Sequence, residues 1–523
     1  RLAEIDFDKL TQEGKVDYVL LHNYLTHQLA LIDRGETQRT ETSSLLPFAD
    51  RLLVLQDARR NLTTIDSRAA SSTLASVAAQ VDSLRSKIES PPRGDSASRP
   101  RISKTVANRA ADNVDEIRAT VTNWYKYYDG YDPNFTWWAK SPYTKLDESL
   151  KRYAKTLREK IVGFKPTSTD ATGANEGPII GDPISAEGLK EDLRYEMIPY
   201  SPPELIAIAE REYAFSLSEM KKAARAMGFG DNWKAAVEKV KNTYVEPGKQ
   251  PDLIRDLARQ AEAFFDQHDW VTIPQLAKED WRMEMMSPER QRVAPFFLGG
   301  DLILVSYPTV DMTEEEKLMS LRGNNPHFSH ATVFHELNPG HHLQGFMSAR
   351  YNSHRRLFST PFWSEGQSLY WEMFLWDHGF HATPEDRVGA LFWRMHRSAR
   401  IIFSLNFHLG KMTPDQAVNF LVDTVAFERA NAEAEVRRSF GGQYSPLYQI
   451  GYMIGGLELR ALHKELVDSG KMTDRAFHDA VLQGGPMPIA MVRARLENLA
   501  LTRDGPLQWK FAGALPPPIP ARD

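Results

Sequence analysis

The 523-residue chain contains no cysteine. Disulfides, thiol nucleophiles and cysteine-ligated zinc are therefore excluded, and any metal has to be held by histidine and carboxylate. There is no uninterrupted apolar run of the roughly 20 residues that a membrane-spanning helix requires. Basic charge is not in excess: 64 Lys and Arg stand against 69 Asp and Glu, for a formal net charge of −5. That balance leaves no electrostatic footprint for nucleic acid. No internal repeat is present, and biased composition is confined to linkers. The first residue is Arg1 and not methionine, which reads as loss of an N-terminal segment, by removal of a signal peptide or by trimming. With 42% hydrophobic and 25% charged residues, the composition fits a large soluble enzyme.

What is present is mostly helical pattern. Tyr18, Leu21, Leu25 and Leu29 recur at helical spacing within 15–33, and similar patterns fall near 45–62, 70–90, 105–127 and 145–162. Ser90–Pro100 (SPPRGDSASRP) is a polar, turn-rich interruption, and 163–188, rich in Gly, Pro, Ser and Thr, is the clearest long linker. This predicts an N-terminal helical lobe over 1–162, a linker over 163–188 and a catalytic region over 189–523. Helices resume at Ser201, where Pro202 and Pro203 suit a first turn, and Thr313 with Glu316 has capping-box spacing. The best strand candidates are 296–298 and 302–307, flanking Gly299-Gly300, which predicts a hairpin. Such a strand at the edge of a binding site would hold an extended peptide backbone by strand addition. The tail Leu515–Ala521 (LPPPIPA) reads as extended.

The chemistry concentrates in His335-Glu336-Leu337-Asn338-Pro339-Gly340-His341-His342. His-Glu opens the HExxH zinc signature, in which two histidines one turn apart hold the metal and the glutamate activates water. Here the next histidines come six and seven residues on. On an unbroken helix six residues rise about 9 Å, whereas zinc–nitrogen bonds are about 2.0–2.1 Å. A regular helix therefore cannot place both imidazoles on one ion. Pro339 lacks an N–H and would clash with the carbonyl of His335, while Gly340 tolerates unusual dihedrals. The pair suits a bulge that returns a later histidine, with His341 preferred because fewer extra residues are absorbed. His342 would then point to substrate or to a carboxylate behind the metal. Downstream, Glu365 and Glu372 lie seven apart within an apolar stretch, close to two helical turns, so both can share a face. Glu365 would complete a His-His-Glu set with one position open, and Glu372 would support a ligand from behind.

His327 and His330 precede the motif and read as helix-entry residues. His354, Arg355 and Arg356 read as a solvated turn, with substrate-carboxylate binding by an arginine as the sharper alternative. His478 reads as a supporting or packing histidine.

HELNPGHHLQ resembles the HExxPGHHxQ signature of the domain-of-unknown-function 885 family, large bacterial proteins regarded as zincin-like metallopeptidases. The resemblance extends to Leu357–Glu372 (LFSTPFWSEGQSLYWE), Ser445–Arg460 (SPLYQIGYMIGGLELR), Phe477–Pro488 (FHDAVLQGGPMP) and Ser201–Leu205 (SPPEL), and covers roughly 190–500. Trp363, Gln367 and Ser368 depart from the family pattern, as does the sequence before Tyr448. The resemblance implies a mostly α-helical zincin-like peptidase, with a small sheet beside a deep active-site cleft and one Zn2+ per chain. His335, His341 and Glu365 would be its ligands and Glu336 the general base. Tyr448 would be the oxyanion donor, with Tyr452 one turn on as the alternative, and His342 would also serve catalysis. Short or unfolded peptides would be the substrate. A non-peptide amide or ester hydrolase, or an inactive peptide- or metal-binding protein, are the alternatives. Export signals are common in such relatives, so a periplasmic or secreted location is expected, with a cytoplasmic one as the alternative.

Overall fold

The computed structural model describes residues 1–90, 102–164 and 177–513, except for residues 292, 293, 295, 298, 301, 443, 506 and 507. All but the first residue of the predicted loop at Ser90–Pro100, residues 165–176 of the 163–188 linker and the tail from 515 fall outside these residues.

The chain is mostly α-helical. The patterns read from sequence correspond to helices Gln12–Thr42, Ala49–Arg60, Ser67–Glu89, Lys104–Tyr128 and Pro133–Leu157. Further on, helix starts share a local signal. Ser201-Pro202, Asn325-Pro326, Thr360-Pro361, Thr383-Pro384 and Thr413-Pro414 each place a capping residue directly before a proline in the first turn. The cap side chain satisfies a free N–H, and proline occupies a position where no N–H is needed. Thr313 and Glu316 form the reciprocal capping box expected of them.

Two compact units result. One comprises Leu31–Asp182, the other Arg1–Ala30 together with Pro183–Asp523. The first has its own core, in which Phe48, Trp124, Phe135 and Tyr153 are buried. The unit boundaries thus differ from the predicted division at 162 and 189, because the first 30 residues belong with the C-terminal part. The physical reason is burial: Val16, Tyr18, Val19 and Leu20 share one apolar cluster with Phe334, Leu343 and Trp371. Arg355, 1% exposed, locks the arrangement by donating to Asp17, to Glu13 and to the Gly484 carbonyl at 2.6–2.8 Å. This residue is therefore an internal clamp and not part of a solvated turn.

The predicted hairpin is replaced by another pairing. Leu302–Val305 runs parallel to Arg282–Met285, with Ile303 opposite Met283 and Val305 opposite Met285. Parallel strands need a crossover connection, which a two-residue turn at Gly299-Gly300 could not provide. Ile303 and Val305 are fully buried, so core packing fixes which face of this short strand turns inward.

Five helices of the larger unit carry the residues singled out from sequence. They are Pro326–Glu336, His341–Ser348, Pro361–Asp377, Pro384–His408 and Tyr448–His463. The third and fifth cross where Gly366 meets Gly455; a Cβ on Gly366 would lie 2.6 Å from the Gly455 Cα. Only backbones without side chains approach so closely, and this crossing brings Glu365 next to Tyr448.

Candidate metal centre

The helix carrying His335 ends at Glu336, and its last regular backbone bond runs from Leu337 N–H to the Val333 carbonyl at 2.9 Å. The chain then turns through Asn338-Pro339, joined by a cis peptide, and a new helix begins at His341. The helix is broken and restarted where the sequence suggested a bulge. The loop closes through Gly340 N–H to the Phe334 carbonyl at 2.9 Å. A Cβ on Gly340 would fall 1.8 Å from the His335 oxygen, so no other residue fits this turn unchanged. We expect Gly340→Ala to move His341 and weaken metal binding by more than tenfold, read by zinc titration with circular dichroism as the check on folding.

The restart brings the two imidazoles together. Their ring centroids are 4.9 Å apart and their planes nearly perpendicular, at 87°. The Nε2 atoms of His335 and His341 lie 3.3 and 3.1 Å from the same Glu365 oxygen, Oε2. Two ligand atoms about 2.1 Å from a tetrahedral ion are separated by roughly 3.4 Å, so these spacings fit one small cation. His335, His341 and Glu365 form the one such cluster among the described residues, with ligand atoms all within 4.8 Å of one another.

The outward nitrogens are also engaged. His335 Nδ1 donates to Glu372 Oε1 at 2.7 Å, and His341 Nδ1 donates to Gln344 Oε1 at 3.3 Å. Each contact holds the ring by its Nδ1–H and so orients Nε2 towards Glu365. Gln344 is itself held through its Nε2, which donates to the Ser364 carbonyl at 2.9 Å and to Ser368 Oγ at 3.1 Å. Ser368 in turn donates to the His335 carbonyl at 3.1 Å. Glu372 also accepts from Arg397 Nη2 at 3.3 Å.

Electrostatics follow from this geometry. Burial opposes charge on His341, but the Glu365 carboxylate outweighs it and raises the imidazole to about 9. His335 is raised for the same reason, with Glu365 and Glu372 overcoming burial. Burial would raise Glu365, yet the two imidazoles hold it well below the usual carboxylate range. Imidazole charge thus compensates the buried carboxylate. The Tyr448 hydroxyl donates to Glu365 Oε1. Burial and that carboxylate push the phenol far up, so it stays neutral and able to donate.

Glu336 is not one of the three clustered residues; its Oε2 accepts the backbone N–H of Gly299 at 2.5 Å. The Gly299-Gly300 segment, read from sequence as a hairpin turn, instead anchors the glutamate next to His335. Tyr452 does not reach Glu365 as a donor; its ring stacks on His335 with centroids 6.0 Å apart and 18° between planes. His342 is directed elsewhere, its Nε2 lying 2.9 Å from the Ala277 carbonyl and 3.0 Å from Asp280 Oδ1. It does not join the other catalytic candidates. His478 is packed behind the site, between the Trp270 carbonyl at 2.7 Å and the Tyr370 hydroxyl at 2.8 Å. Burial lowers it to about 3, so it remains neutral. His330 is buried against Phe380 and His327 pairs with Asp386. Sequence reasoning missed Gln344, Arg397 and Gly299. Gln344 closes the HELNPGHHLQ segment and was visible there; Arg397, 25 residues beyond Glu372, had no local signal.

The fold and this site define a helical protein with a His-His-carboxylate cluster at a broken helix. The model of a bacterial family of proteins of unknown function, DUF885, matches residues 1–496, and the chain belongs to that family. Two solved structures share the fold. A protein of unknown function from Shewanella oneidensis, assigned as a lipoprotein, is 17% identical over 95% of this chain and 90% of its own, with a TM-score of 0.67. A second, from Colwellia psychrerythraea and likewise assigned as a lipoprotein, is 18% identical over 76% and 70%, with a TM-score of 0.55. No curated protein matches the sequence.

Proposed function

We propose that the protein is a zinc-dependent, zincin-like peptidase that hydrolyses short or unfolded peptides, with the HExxPGHH segment as its signature. The observation that carries this reading is the convergence of two imidazole Nε2 atoms on one Glu365 oxygen, with Glu336 directly following one of the histidines. His335, His341 and Glu365 would hold the ion. When bound, zinc would supply a Lewis acid for the scissile carbonyl and acidify the attacking water. Zinc is the ion proposed because two histidines and a glutamate with a fourth position open are a ligand set of catalytic zinc sites.

The chain's own residues do the rest. Glu336 takes a proton from the attacking water and returns it to the leaving amine. Tyr448 donates its O–H to the oxyanion as the carbonyl oxygen gains charge. In exchange it gives up its bond to Glu365, the carboxylate that would then face the ion. Glu372 and Gln344 keep the imidazoles oriented throughout. A cleft around these groups would admit extended peptides and exclude folded proteins. The two structural relatives are assigned as lipoproteins; an extracytoplasmic location is proposed for this chain too. No helix among the described residues is long and apolar enough to cross a membrane.

The test is the metal content of the purified protein together with hydrolysis of a mixed peptide library. One tightly held zinc and defined cleavage products are expected. Absence of metal after adding zinc would overturn the reading, as would zinc with no cleaved peptide. Removing one oxyanion donor costs about 10²–10³ in kcat. Tyr448→Phe is therefore expected to lose that much while keeping its zinc, measured by steady-state kinetics on a cleaved peptide.

A further inference from the structure

Beside the helix that carries His335 and Glu336 is a cavity of ≈ 40 Å³, lined in part by those two residues, Tyr452 and the arginines 397, 400 and 438. A water needs roughly 10–15 Å³ of such space, so the cavity takes a group of about three heavy atoms. That is the size of a carboxylate and too small for a whole side chain.

The lining is strongly cationic. Arg397, Arg400 and Arg438 are 4%, 2% and 7% exposed, and Glu336 is the one carboxylate among the described residues that line the space. Guanidinium groups this deep are rarely left without partners. Glu435 accepts from Arg400 Nε and from Arg438 Nη2, both at 2.7 Å. Arg397 has only Glu372, at 3.3 Å, which already accepts from His335. Glu435 also lies 3.4 Å from His396 Nε2, so two carboxylates serve three guanidinium groups and two imidazoles. Arg397 Nε, Arg400 Nη1 and Arg438 Nε remain without a hydrogen-bond partner among the described residues. Arg397 and Arg400 lie 4.8 and 4.4 Å from the centroid of the Tyr452 ring, the ring that stacks on His335. The unused donors are therefore one aromatic ring away from the ligand cluster. A purely structural network would pair its buried charges within itself, and this one has donors left over.

We propose that Arg397, Arg400 and Arg438 form a carboxylate-binding subsite beside the metal cluster. The peptide that is cleaved would then carry a carboxylate close to the scissile bond, as its C-terminal α-carboxylate or as an acidic side chain. This rests on the peptidase reading and narrows its substrate class.

The test uses the full-length, zinc-loaded chain and two tetrapeptide libraries, one of free acids and one amidated at the C-terminus. Both contain matched Glu/Gln and Asp/Asn positions. A charge-assisted hydrogen bond to a buried guanidinium corresponds to roughly 10–100-fold. A loss of kcat/KM of that size on amidation identifies the α-carboxylate. The same preference for Glu or Asp over Gln or Asn identifies an acidic side chain. Arg438→Met is expected to shrink the ratio towards one, and Arg438→Lys, which keeps a charge opposite Glu435 and so protects folding, to shrink it in part. Calorimetric binding of the preferred peptides and their amides to Glu336→Gln should give the same ratio without turnover. Cleavage with a ratio near one at every position overturns the subsite and leaves the peptidase reading standing. No cleavage and no binding in either library overturns the peptidase reading itself, and the subsite's substrate with it.

Discussion

Glu336→Gln is expected to retain zinc and lose peptide hydrolysis by about 10²–10⁴-fold, the usual worth of a positioned general base. The prediction is sharp because the carboxylate is not one of the three clustered ligand residues. It accepts the Gly299 N–H at 2.5 Å, and a glutamine's amide oxygen can accept the same bond, so the adjoining loop keeps its anchor. What disappears is the capacity to take a proton from water. Metal content and kcat measured on the same preparation check this. Equal turnover in wild type and variant would remove Glu336 from the chemistry. Loss of zinc along with activity would mean that the residue is structural.

Glu365→Ala is expected to abolish stoichiometric zinc binding, and with it activity, while Glu372→Gln weakens zinc by about 10–100-fold, the usual cost of losing a group that supports a ligand. The two glutamates lie on one helix and both touch His335. The difference in effect therefore separates a ligand from its support. Competition with a zinc chelator measures both. A proton linkage accompanies this. His341 is raised to about 9 without metal, and zinc binds only neutral imidazole. Below pH 9 each zinc bound must displace that proton, so apparent affinity falls as pH drops from 9 towards 6 and proton release accompanies loading. Zinc affinity that is flat across that range would contradict the assignment of His341.

The sequence carried a good part of this. Helix starts were legible at Ser201-Pro202 and Thr313–Glu316 because caps are local: a side chain satisfies an N–H two or three residues away. His341 was preferred to His342 because a bulge at Pro339-Gly340 then absorbs fewer extra residues, and it is His341 that lies with His335 and Glu365. Glu365 and Glu372 shared a face by simple periodicity. Where contacts join distant segments, the reading was less complete. The 302–305 strand was foreseen, but its partner was taken to be its neighbour; the parallel strand 282–285 pairs with it instead, because burial of Ile303 and Val305 and not chain proximity decided the register. Arg355 read as solvated, since nothing nearby in sequence announces Glu13 and Asp17 more than 330 residues away.

The absence of cysteine, the His-Glu pair and the broken spacing to His341 by themselves determined which residue types could hold a metal and that a regular helix could not do it. Tertiary structure alone decided that Glu372 and Gln344 orient the imidazoles, that His342 faces Asp280, and that three arginines crowd the space beside Glu336. Periodicity reports the face of one helix; which faces meet depends on close crossings such as Gly366 against Gly455, where the missing side chains let two backbones touch.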